Sequence, residues 1–162
     1  MAEILIETPA DAPEVEALYD LCFAPGRTAL SSYRLREDVA PVPALCRLVR
    51  GRMGEVAGAI RVWPVLVGGA EALLLGPVAV HPVRQGEGLG ALLIWRTLEV
   101  ARELGHPRVL LVGDEPYYAR FGFARLEGVE MPPPTNPDRV LGVALQEGAW
   151  EGVTGAVSRI AP

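Results

Sequence analysis

Residues 78–90 read Val78-Ala79-Val80-His81-Pro82-Val83-Arg84-Gln85-Gly86-Glu87-Gly88-Leu89-Gly90. Three glycines stand at every second position from 86 to 90, and they lie between an apolar strand pattern and the start of a helical pattern. Because glycine has no side chain, the backbone amides of such a turn stay open to a ligand. The positive end of the following helix dipole favours an anion at the same place. The stretch therefore predicts a phosphate-binding turn between a strand and a helix.

The helix after this turn is the most strongly patterned segment of the chain. From Gly88 to Leu104, apolar residues recur at helical spacing on one face, while arginines and glutamates occupy the other. Gly105 follows as a helix-terminating glycine. Since Leu73–Val80 precedes the helix and Val109–Val112 follows it, the three segments predict a strand-helix-strand unit with parallel strands.

Outside this unit the patterns predict shorter elements. On its N-terminal side we expect a strand, a helix, a weaker helical stretch and three antiparallel strands: Ile4–Glu7, Val15–Cys22, Thr28–Asp38, then Leu45–Arg50, Glu55–Trp63 and Ala72–Val80. On its C-terminal side we expect a short helix, a proline-rich loop and two strands: Pro116–Arg120, Pro132–Pro137, Val140–Leu145 and Val153–Ser158. The length of 162 residues fits one domain over residues 1–162.

The composition disfavours several classes of partner. The formal net charge is -5 and the arginines are scattered, so no nucleic-acid partner is expected. Uncharged apolar runs are less than half the roughly 20 residues of a membrane helix, so no membrane partner is expected either. Glu3 and Glu7 stand where an export signal would carry basic residues. We therefore expect a soluble, cytoplasmic protein.

Cysteine and histidine are sparse. The chain has only Cys22, Cys46, His81 and His106, without a close cluster, so no metal site is expected. In a reducing compartment the two cysteines are expected to be small buried thiols, with a disulfide as the alternative.

Taken alone, the glycine turn has two further interpretations. One is a tight strand-to-helix connection that binds nothing. The other is a Rossmann dinucleotide site, because Gly86, Gly88 and Ala91 fit its spacing and Asp114 lies downstream. The Rossmann interpretation is weakened because the link 81–85 separates the glycines from the end of the strand, and because little chain follows them.

Residues 78–93 closely resemble the central motif of the GNAT acetyltransferase superfamily, in which Gln or Arg and two small residues follow a strand and a short link. Gln85, Gly88 and Gly90 fill its three defined positions. A second motif of that family, a tyrosine four residues before a Gly-Phe pair, is matched by Tyr118-Ala119-Arg120-Phe121-Gly122-Phe123.

The resemblance covers about Leu73 to Phe123. It implies an α/β (α+β) fold, a single GNAT-like domain with helices on both sides of a central sheet. That sheet would be mixed but mostly antiparallel, and it would contain one splayed pair of parallel strands.

The resemblance also implies an N-acetyltransferase with acetyl-CoA as co-substrate and no metal. The pantetheine arm of CoA would enter the gap between the parallel strands. Pro77 lacks an N–H, which predicts the bulge of the split strand near Gly76-Pro77. The implied cofactor-binding residues are Val78, Val80, Gln85, Gly86, Glu87, Gly88, Leu89, Gly90 and Ala91.

Two catalytic groups are implied in the same way. The backbone amide of Val78 would stabilise the oxyanion, and Tyr118 would protonate the departing thiolate. The alternative for Tyr118 is an aromatic ring packed in the core. Three neighbouring aromatics are assigned to that core: Tyr117, Phe121 and Phe123. Arg120 is expected to face solvent.

The sequence departs from the family where the second parallel strand ends. Many relatives carry an asparagine there, whereas this chain has Gly113-Asp114-Glu115-Pro116. Either Asp114 replaces that polar contact or no residue makes it. The general base stays open among Asp114, Glu115 and Glu71, because Leu73–Val80 contains no acid.

The acceptor side carries no diagnostic pattern. Its pocket is expected between the loops Cys22–Thr28 and Glu130–Pro137. We expect a primary amine of a small molecule, attacking acetyl-CoA directly in a ternary complex. Acetylation of protein N-termini or lysines, and a non-catalytic acyl-CoA-binding or regulatory module, are the alternatives. A homodimer is also left open, since relatives are often dimers.

Overall fold

A mixed β-sheet with helices on both faces makes up the fold. The computed structural model describes residues 3–23 and 31–160. Its strands are β1 Ile4–Ile6, β2 Arg47–Arg50, β3 Val56–Val67, β4 Ala70–Val80, β5 Arg108–Val112, β6 Ala124–Arg125, β7 Val129–Glu130, β8 Val140–Ala144 and β9 Gly155–Arg159. Its α-helices are α1 Ala12–Cys22, α2 Leu89–Glu103 and α3 Glu115–Tyr118. Short 3-10 turns lie between them at Pro9–Asp11, Ser31–Leu35, Pro43–Leu45, Pro82–Arg84, Ala119–Phe121 and Pro137–Arg139.

The strand order is β1-β2-β3-β4-β5-β8-β6, and β9 pairs with both β3 and β7. Neighbouring strands are antiparallel except for β4 with β5 and β7 with β9. The sheet therefore has the mixed, mostly antiparallel character that the sequence predicts, with α2 connecting the parallel pair β4 and β5.

The hairpin of β3 and β4 is longer than predicted. β3 continues through Pro64 to Val67, whereas we expected it to end at Trp63. Proline is tolerated in a strand where no neighbour needs its N–H. Beside β3, β2 pairs only as far as Ile60 and β9 only from Val65, so neither strand pairs with Pro64.

Two N-terminal segments also differ from prediction. β2 begins at Arg47, because the 3-10 turn Pro43–Leu45 occupies the residues before it. The stretch Thr28–Asp38, predicted as helical, contains only the 3-10 turn Ser31–Leu35, and its first three residues lie outside the described part of the chain. Serine side chains compete for backbone hydrogen bonds, which favours a turn over a regular helix.

Alternate residues of β4 and β5 point to opposite faces of the sheet, and each face has its own cover. On one face, Leu93 and Ile94 of α2 pack with Leu73 and Leu75 in the largest buried cluster. On the other face, α1 packs over β2, β3 and β4, and the turn Ser31–Leu35 packs over β4 and β5. The parallel pair thus separates two compartments of the molecule.

The cysteines are not bridged. Cys46 is buried and Cys22 is half-buried at the end of α1, and both are free thiols, as predicted. The Cys22 thiol lies 3.3 Å from the carbonyl oxygen of Val80 and donates to it. Among residues 3–23 and 31–160, no helix combines the length and the apolar character that crossing a bilayer would require.

Candidate active site

The parallel strands β4 and β5 pair only along their first residues. Leu73 is in register with Val109 and Leu74 with Leu110, and the pairing ends there. β4 nevertheless continues to Val80 beside β3. A gap therefore opens between the two strands toward their carboxyl ends.

A bulge in β4 begins where this gap opens. Gly76 and Pro77 together face the single residue Arg61 of β3, which confirms the irregularity predicted at Gly76-Pro77. The fully buried Tyr19 of α1 donates its hydroxyl to the Pro77 carbonyl oxygen at 3.1 Å. The Arg61 guanidinium lies 5.4 Å from the centre of the Tyr19 ring. Helix α1 thus holds the backbone immediately before Val78.

The glycine turn has the open backbone that the sequence predicts. Gly86 and Gly88 have φ angles of 90° and 81°, which side-chain-bearing residues rarely adopt. A Cβ built on either glycine would meet no atom within 4 Å, so the space beside the turn is open. Gly88 is the N-cap of α2, which places the unpaired amides of that helix at the same point.

A cavity of about 560 Å³ lies beside this turn on the α2 face of the sheet, and we call it the α2-side cavity. All the predicted cofactor-binding residues except Glu87 line it. The Glu87 carboxylate instead accepts from Arg84 Nε at 2.8 Å. The Val80 carbonyl oxygen accepts from Gln85 Nε2 at 3.4 Å as well as from Cys22, so both of its lone pairs are engaged.

A second cavity, of about 380 Å³, lies on the opposite face under α1 and the turn Ser31–Leu35, and we call it the α1-side cavity. Its walls come from Phe23, from residues 32, 33 and 36, from the bulged part of β4 and from the end of β5. Val78, Tyr117 and Tyr118 line both cavities. The two cavities therefore adjoin each other at the gap between β4 and β5.

The Tyr118 ring is held in this junction by packing. It makes edge contacts with Tyr117 at 5.0 Å and with Phe123 at 6.0 Å between ring centres. On its other side it lies against the Gly113 backbone, so closely that a Cβ on Gly113 would come within 2.5 Å of the ring. Both interpretations of Tyr118 are thus compatible with its position, since the ring packs in an aromatic cluster and also borders both cavities.

Burial raises the pKa of the Tyr118 phenol above its ordinary value of 10.0. Tyr117 and the negative charge of Asp114 raise this pKa further, and the positive charge of Arg139 acts in the opposite direction. The phenol therefore keeps its proton at neutral pH.

A family model for the acetyltransferase (GNAT) family matches residues 12–123. The chain belongs to the GNAT family of acetyltransferases. It is an acyltransferase, and the fold predicted from the resemblance is confirmed. The Rossmann interpretation of the glycine turn is wrong, because β4 reaches that turn from an antiparallel hairpin with β3.

Individual GNAT proteins are similar to this chain over most of its length. The E. coli K12 protein named "Uncharacterized N-acetyltransferase YhbS" is 34% identical over 122 residues, which are 74% of this chain and 72% of YhbS. The crystal structure of E. coli YhbS in complex with CoA superposes with a TM-score of 0.85 at 30% identity, covering 98% of this chain and 89% of that one. A Brucella melitensis GNAT acetyltransferase in complex with acetyl-CoA superposes with a TM-score of 0.72 at 29% identity, covering 99% and 97%.

Two residues near the GNAT tyrosine motif have contacts that the sequence did not predict. Tyr117, assigned to the core, packs against the main core cluster but is only half-buried and borders both cavities, with its hydroxyl oxygen 3.8 Å from a Cβ built on Gly90. Arg120 is exposed, as predicted, and it also lines the α2-side cavity. Its guanidinium stacks 4.3 Å from the centre of the Tyr117 ring, and its Nε donates to the Tyr117 carbonyl at 2.8 Å. The sequence carries no signal for this stacking.

The candidates for the general base separate clearly. Glu71 stands near the start of β4, seven residues before Val78. At the rise of a strand this is roughly 23 Å, which excludes it. The Glu115 carboxylate accepts from the Arg125 backbone at 3.4 Å and borders neither cavity. Asp114 lines the α1-side cavity beside Tyr118.

The two loops expected to frame the acceptor pocket contribute fewer residues to the α1-side cavity than predicted. Phe23 borders the α1-side cavity, whereas residues 24–28 lie outside the described part of the chain. No residue of the described loop 130–137 borders that cavity, because the loop packs outside the turn Ser31–Leu35, where Arg34 Nη1 donates to the Pro133 carbonyl at 3.3 Å. Arg36 and Arg139 line the cavity instead.

Proposed function

We propose that this enzyme transfers the acetyl group of acetyl-CoA to the primary amine of a small molecule, by direct attack in a ternary complex. One observation carries the proposal: two cavities on opposite faces of the sheet adjoin each other at Val78 and Tyr118, in the gap between β4 and β5. A donor bound on one side and an acceptor bound on the other would bring their reacting atoms together there. Such positioning alone can supply a large part of a rate acceleration.

The α2-side cavity fits the donor. Its glycine turn offers open amides at a helix N-terminus, which suits a pyrophosphate without a lysine. The CoA and acetyl-CoA bound to the two similar GNAT structures support this assignment. We assign acetyl-CoA binding to the residues Val78, Val80, Gln85, Gly86, Glu87, Gly88, Leu89, Gly90 and Ala91. If the Val80 carbonyl oxygen is to accept a hydrogen bond from the pantetheine arm of acetyl-CoA, the Gln85 side-chain amide would first have to turn away from that oxygen.

The α1-side cavity supports a small acceptor. Its volume of about 380 Å³ lies near the lower end of the range typical of small-molecule sites. A protein N-terminus or a lysine side chain would need an open groove for the attached polypeptide. The non-catalytic alternative is disfavoured because a second cavity borders the thioester end of the proposed donor site.

Each step of the transfer has a candidate group in this chain. The acceptor nitrogen forms a bond to the thioester carbonyl carbon, the carbon–sulfur bond breaks, the nitrogen loses a proton and the sulfur gains one. In our proposal the Val78 amide donates to the oxyanion and the Tyr118 phenol gives its proton to the sulfur. Asp114, directly or through a water molecule, takes the proton from the amine.

The proposal is tested by incubating the purified protein with acetyl-CoA and a panel of small primary amines and peptides. We expect free CoA thiol to appear above the hydrolysis background with at least one small amine, together with its N-acetylated product by mass spectrometry. Peptides with free N-termini or lysines should give no product. Silence with every amine, in a protein that acetyl-CoA still stabilises thermally, would favour the non-catalytic module instead.

Arg120 should contribute to donor binding and not to chemistry. We expect Arg120→Gln to raise KM for acetyl-CoA by about 3- to 10-fold with kcat unchanged, because an exposed guanidinium contributes modestly to binding a phosphorylated ligand. Steady-state kinetics with acetyl-CoA as the varied substrate measures this. Arg96→Gln is the control, since Arg96 also lies exposed but borders a separate surface pocket and neither of the two cavities. Equal effects of the two substitutions would remove Arg120 from the donor site.

A further inference from the structure

The α1-side cavity carries more positive than negative charge. Its charged lining residues, within the described chain, are two arginines, Arg36 and Arg139, and one carboxylate, Asp114. The protein as a whole has a net charge of -5. The excess of positive charge in this cavity is therefore opposite to the general charge of the molecule, and it contrasts with the binding of cationic amines that an acidic chain would suggest.

Arg36 is held in a fixed plane beside the bulge. Its guanidinium lies 4.2 Å from the centre of the Tyr33 ring and 5.7 Å from that of Trp63. Its Nη2 is the nearest atom, at 4.0 Å, to a Cβ built on Gly76, two residues before Val78. A guanidinium held against aromatic rings loses little further freedom when it pairs with an anion, and its planar fork matches a carboxylate or a phosphate.

Arg139 lines the same cavity from another element. It ends the turn Pro137–Arg139 before β8, and its carbonyl oxygen accepts from the Gly113 amide at 2.9 Å. This contact fixes the start of its side chain beside Gly113 and Asp114, at the end of β5. Arg36 therefore lies beside the bulge of β4, whereas Arg139 and Asp114 lie together at the end of β5.

We propose that the acceptor carries an anionic group besides its amine, and that Arg36, assisted by Arg139, binds this group while the amine faces Asp114 and Val78. This inference rests on the proposed function, because it names the class of acceptor. Zwitterionic amines, such as amino acids or aminophosphonates, carry both an anionic group for the arginines and an amine for Asp114. A diamine would place a second positive charge against guanidiniums that cannot be neutralised.

The test compares acceptors that differ only in charge. β-Alanine, γ-aminobutyrate and δ-aminovalerate are each compared with the corresponding carboxamide, aminophosphonate and diamine at saturating acetyl-CoA. For the best chain length we expect kcat/KM for the carboxylate or the phosphonate to exceed that for the carboxamide by at least about tenfold. The better of the two anions identifies the group. Equal rates for the carboxylate, phosphonate and carboxamide, or faster turnover of the diamine, would overturn the proposal.

A matched pair of variants assigns the preference to Arg36. We expect Arg36→Gln to lower kcat/KM for the preferred anionic acceptor by about 10- to 100-fold and to leave the carboxamide within about twofold. Arg34→Gln, two residues earlier in the chain and outside the cavity lining, should change neither. An equal loss with charged and neutral acceptors would show a structural role for Arg36 and contradict the assignment.

A binding measurement separates this inference from the proposed function. With CoA saturating, the N-acetylated carboxylate or phosphonate product should raise the melting temperature of the wild-type protein more than the N-acetylated carboxamide does. Arg36→Gln should abolish the difference. If the charged product is preferred but no acceptor is turned over, the proposed function is wrong and the anion site stands. If acceptors are turned over without any preference for the charged product, only the anion site is wrong.

Discussion

The Tyr118→Phe enzyme is expected to lose about 10²- to 10⁴-fold in kcat, the usual contribution of a positioned general acid, with little change in KM for acetyl-CoA. The reason is geometric. Phenylalanine keeps the ring contacts with Tyr117 and Phe123 and the close approach to Gly113, so the substitution removes only the hydroxyl at the junction of the two cavities. Steady-state kinetics with the best acceptor, together with a melting curve to verify folding, measures the effect.

Tyr117→Phe is the matched control. Tyr117 borders the same two cavities, but its hydroxyl oxygen lies near Gly90 and the glycine turn. We expect this variant to change KM for acetyl-CoA by less than about tenfold and to keep kcat, since the loss of one neutral hydrogen bond has a modest net effect. If Tyr117→Phe were the variant that loses kcat, or if Tyr118→Phe kept its turnover at every pH, the assignment of the acid to Tyr118 would be wrong.

The direction of the Tyr118 pKa shift adds a test with pH. A general acid works in its protonated form, and burial raises the pKa of this phenol above 10.0. Deprotonation of Tyr118 should therefore lower kcat only above about pH 10. Between pH 7 and 10 the rate should rise or stay level, because the acceptor amine becomes neutral. A fall in kcat below pH 10 that disappears in Tyr118→Phe would contradict this expectation.

The glycine turn beside the α2-side cavity could be predicted because consecutive residues carry its geometry. The turn at Gln85–Gly90 needs glycines for its positive φ angles, and the helix that follows is amphipathic by itself. The gap between β4 and β5 was expected from the resemblance to the GNAT family, and Pro77, which interrupts the strand, located the bulge within the sequence. These features depend on neighbours along the chain, which a single sequence displays directly.

The α1-side cavity could not be predicted because distant segments build it. Phe23, Arg36, Asp114 and Arg139 come from four separate parts of the chain, and only the sheet topology brings them to one cavity. Sequence proximity was also misleading in one case. Glu71 belongs to the same strand as Val78, but an extended strand carries it away from the gap and not toward it.

Two further details could not be predicted from the local pattern. β3 was expected to end at Trp63, yet it continues through Pro64, which is tolerated because of where β2 and β9 begin and end. Arg120 is exposed as expected, but its stacking on Tyr117 and its place beside the α2-side cavity were not predicted. In both cases contacts that the local pattern does not contain decide the outcome.

Gly113 belongs to the segment after β5 in which this chain departs from the asparagine that many GNAT proteins carry. A Cβ there would lie 2.5 Å from Cε2 and 2.9 Å from Cδ2 of Tyr118, and 3.0 Å from Leu111 Cδ1. Any side chain would therefore displace the ring. Asp114 does not take over as a helix cap, since its side chain makes no capping hydrogen bond to α3. The absence of a side chain at Gly113 therefore leaves room for the Tyr118 ring.

We expect Gly113→Ala to reduce kcat on the order of 100-fold, which is the effect of a catalytic group misplaced by about 1 Å. Tyr117 and Phe123 block the ring on its other sides, so the ring can move only by turning toward the cavities, which displaces its hydroxyl. The overpacking should also lower the free energy of unfolding by about 1–3 kcal/mol. Steady-state kinetics and urea unfolding measure the two effects separately.

The double variant Gly113→Ala/Tyr118→Phe decides whether the glycine acts through the tyrosine. If it does, Gly113→Ala should lower kcat by less than about threefold in the Tyr118→Phe background, because the hydroxyl that it would displace is already absent. The loss of unfolding free energy should persist in both backgrounds, since phenylalanine occupies the same space. Multiplicative losses in kcat would instead show that Gly113 affects the active site independently of Tyr118. In that case the glycine at position 113 would not be explained by the room that Tyr118 needs.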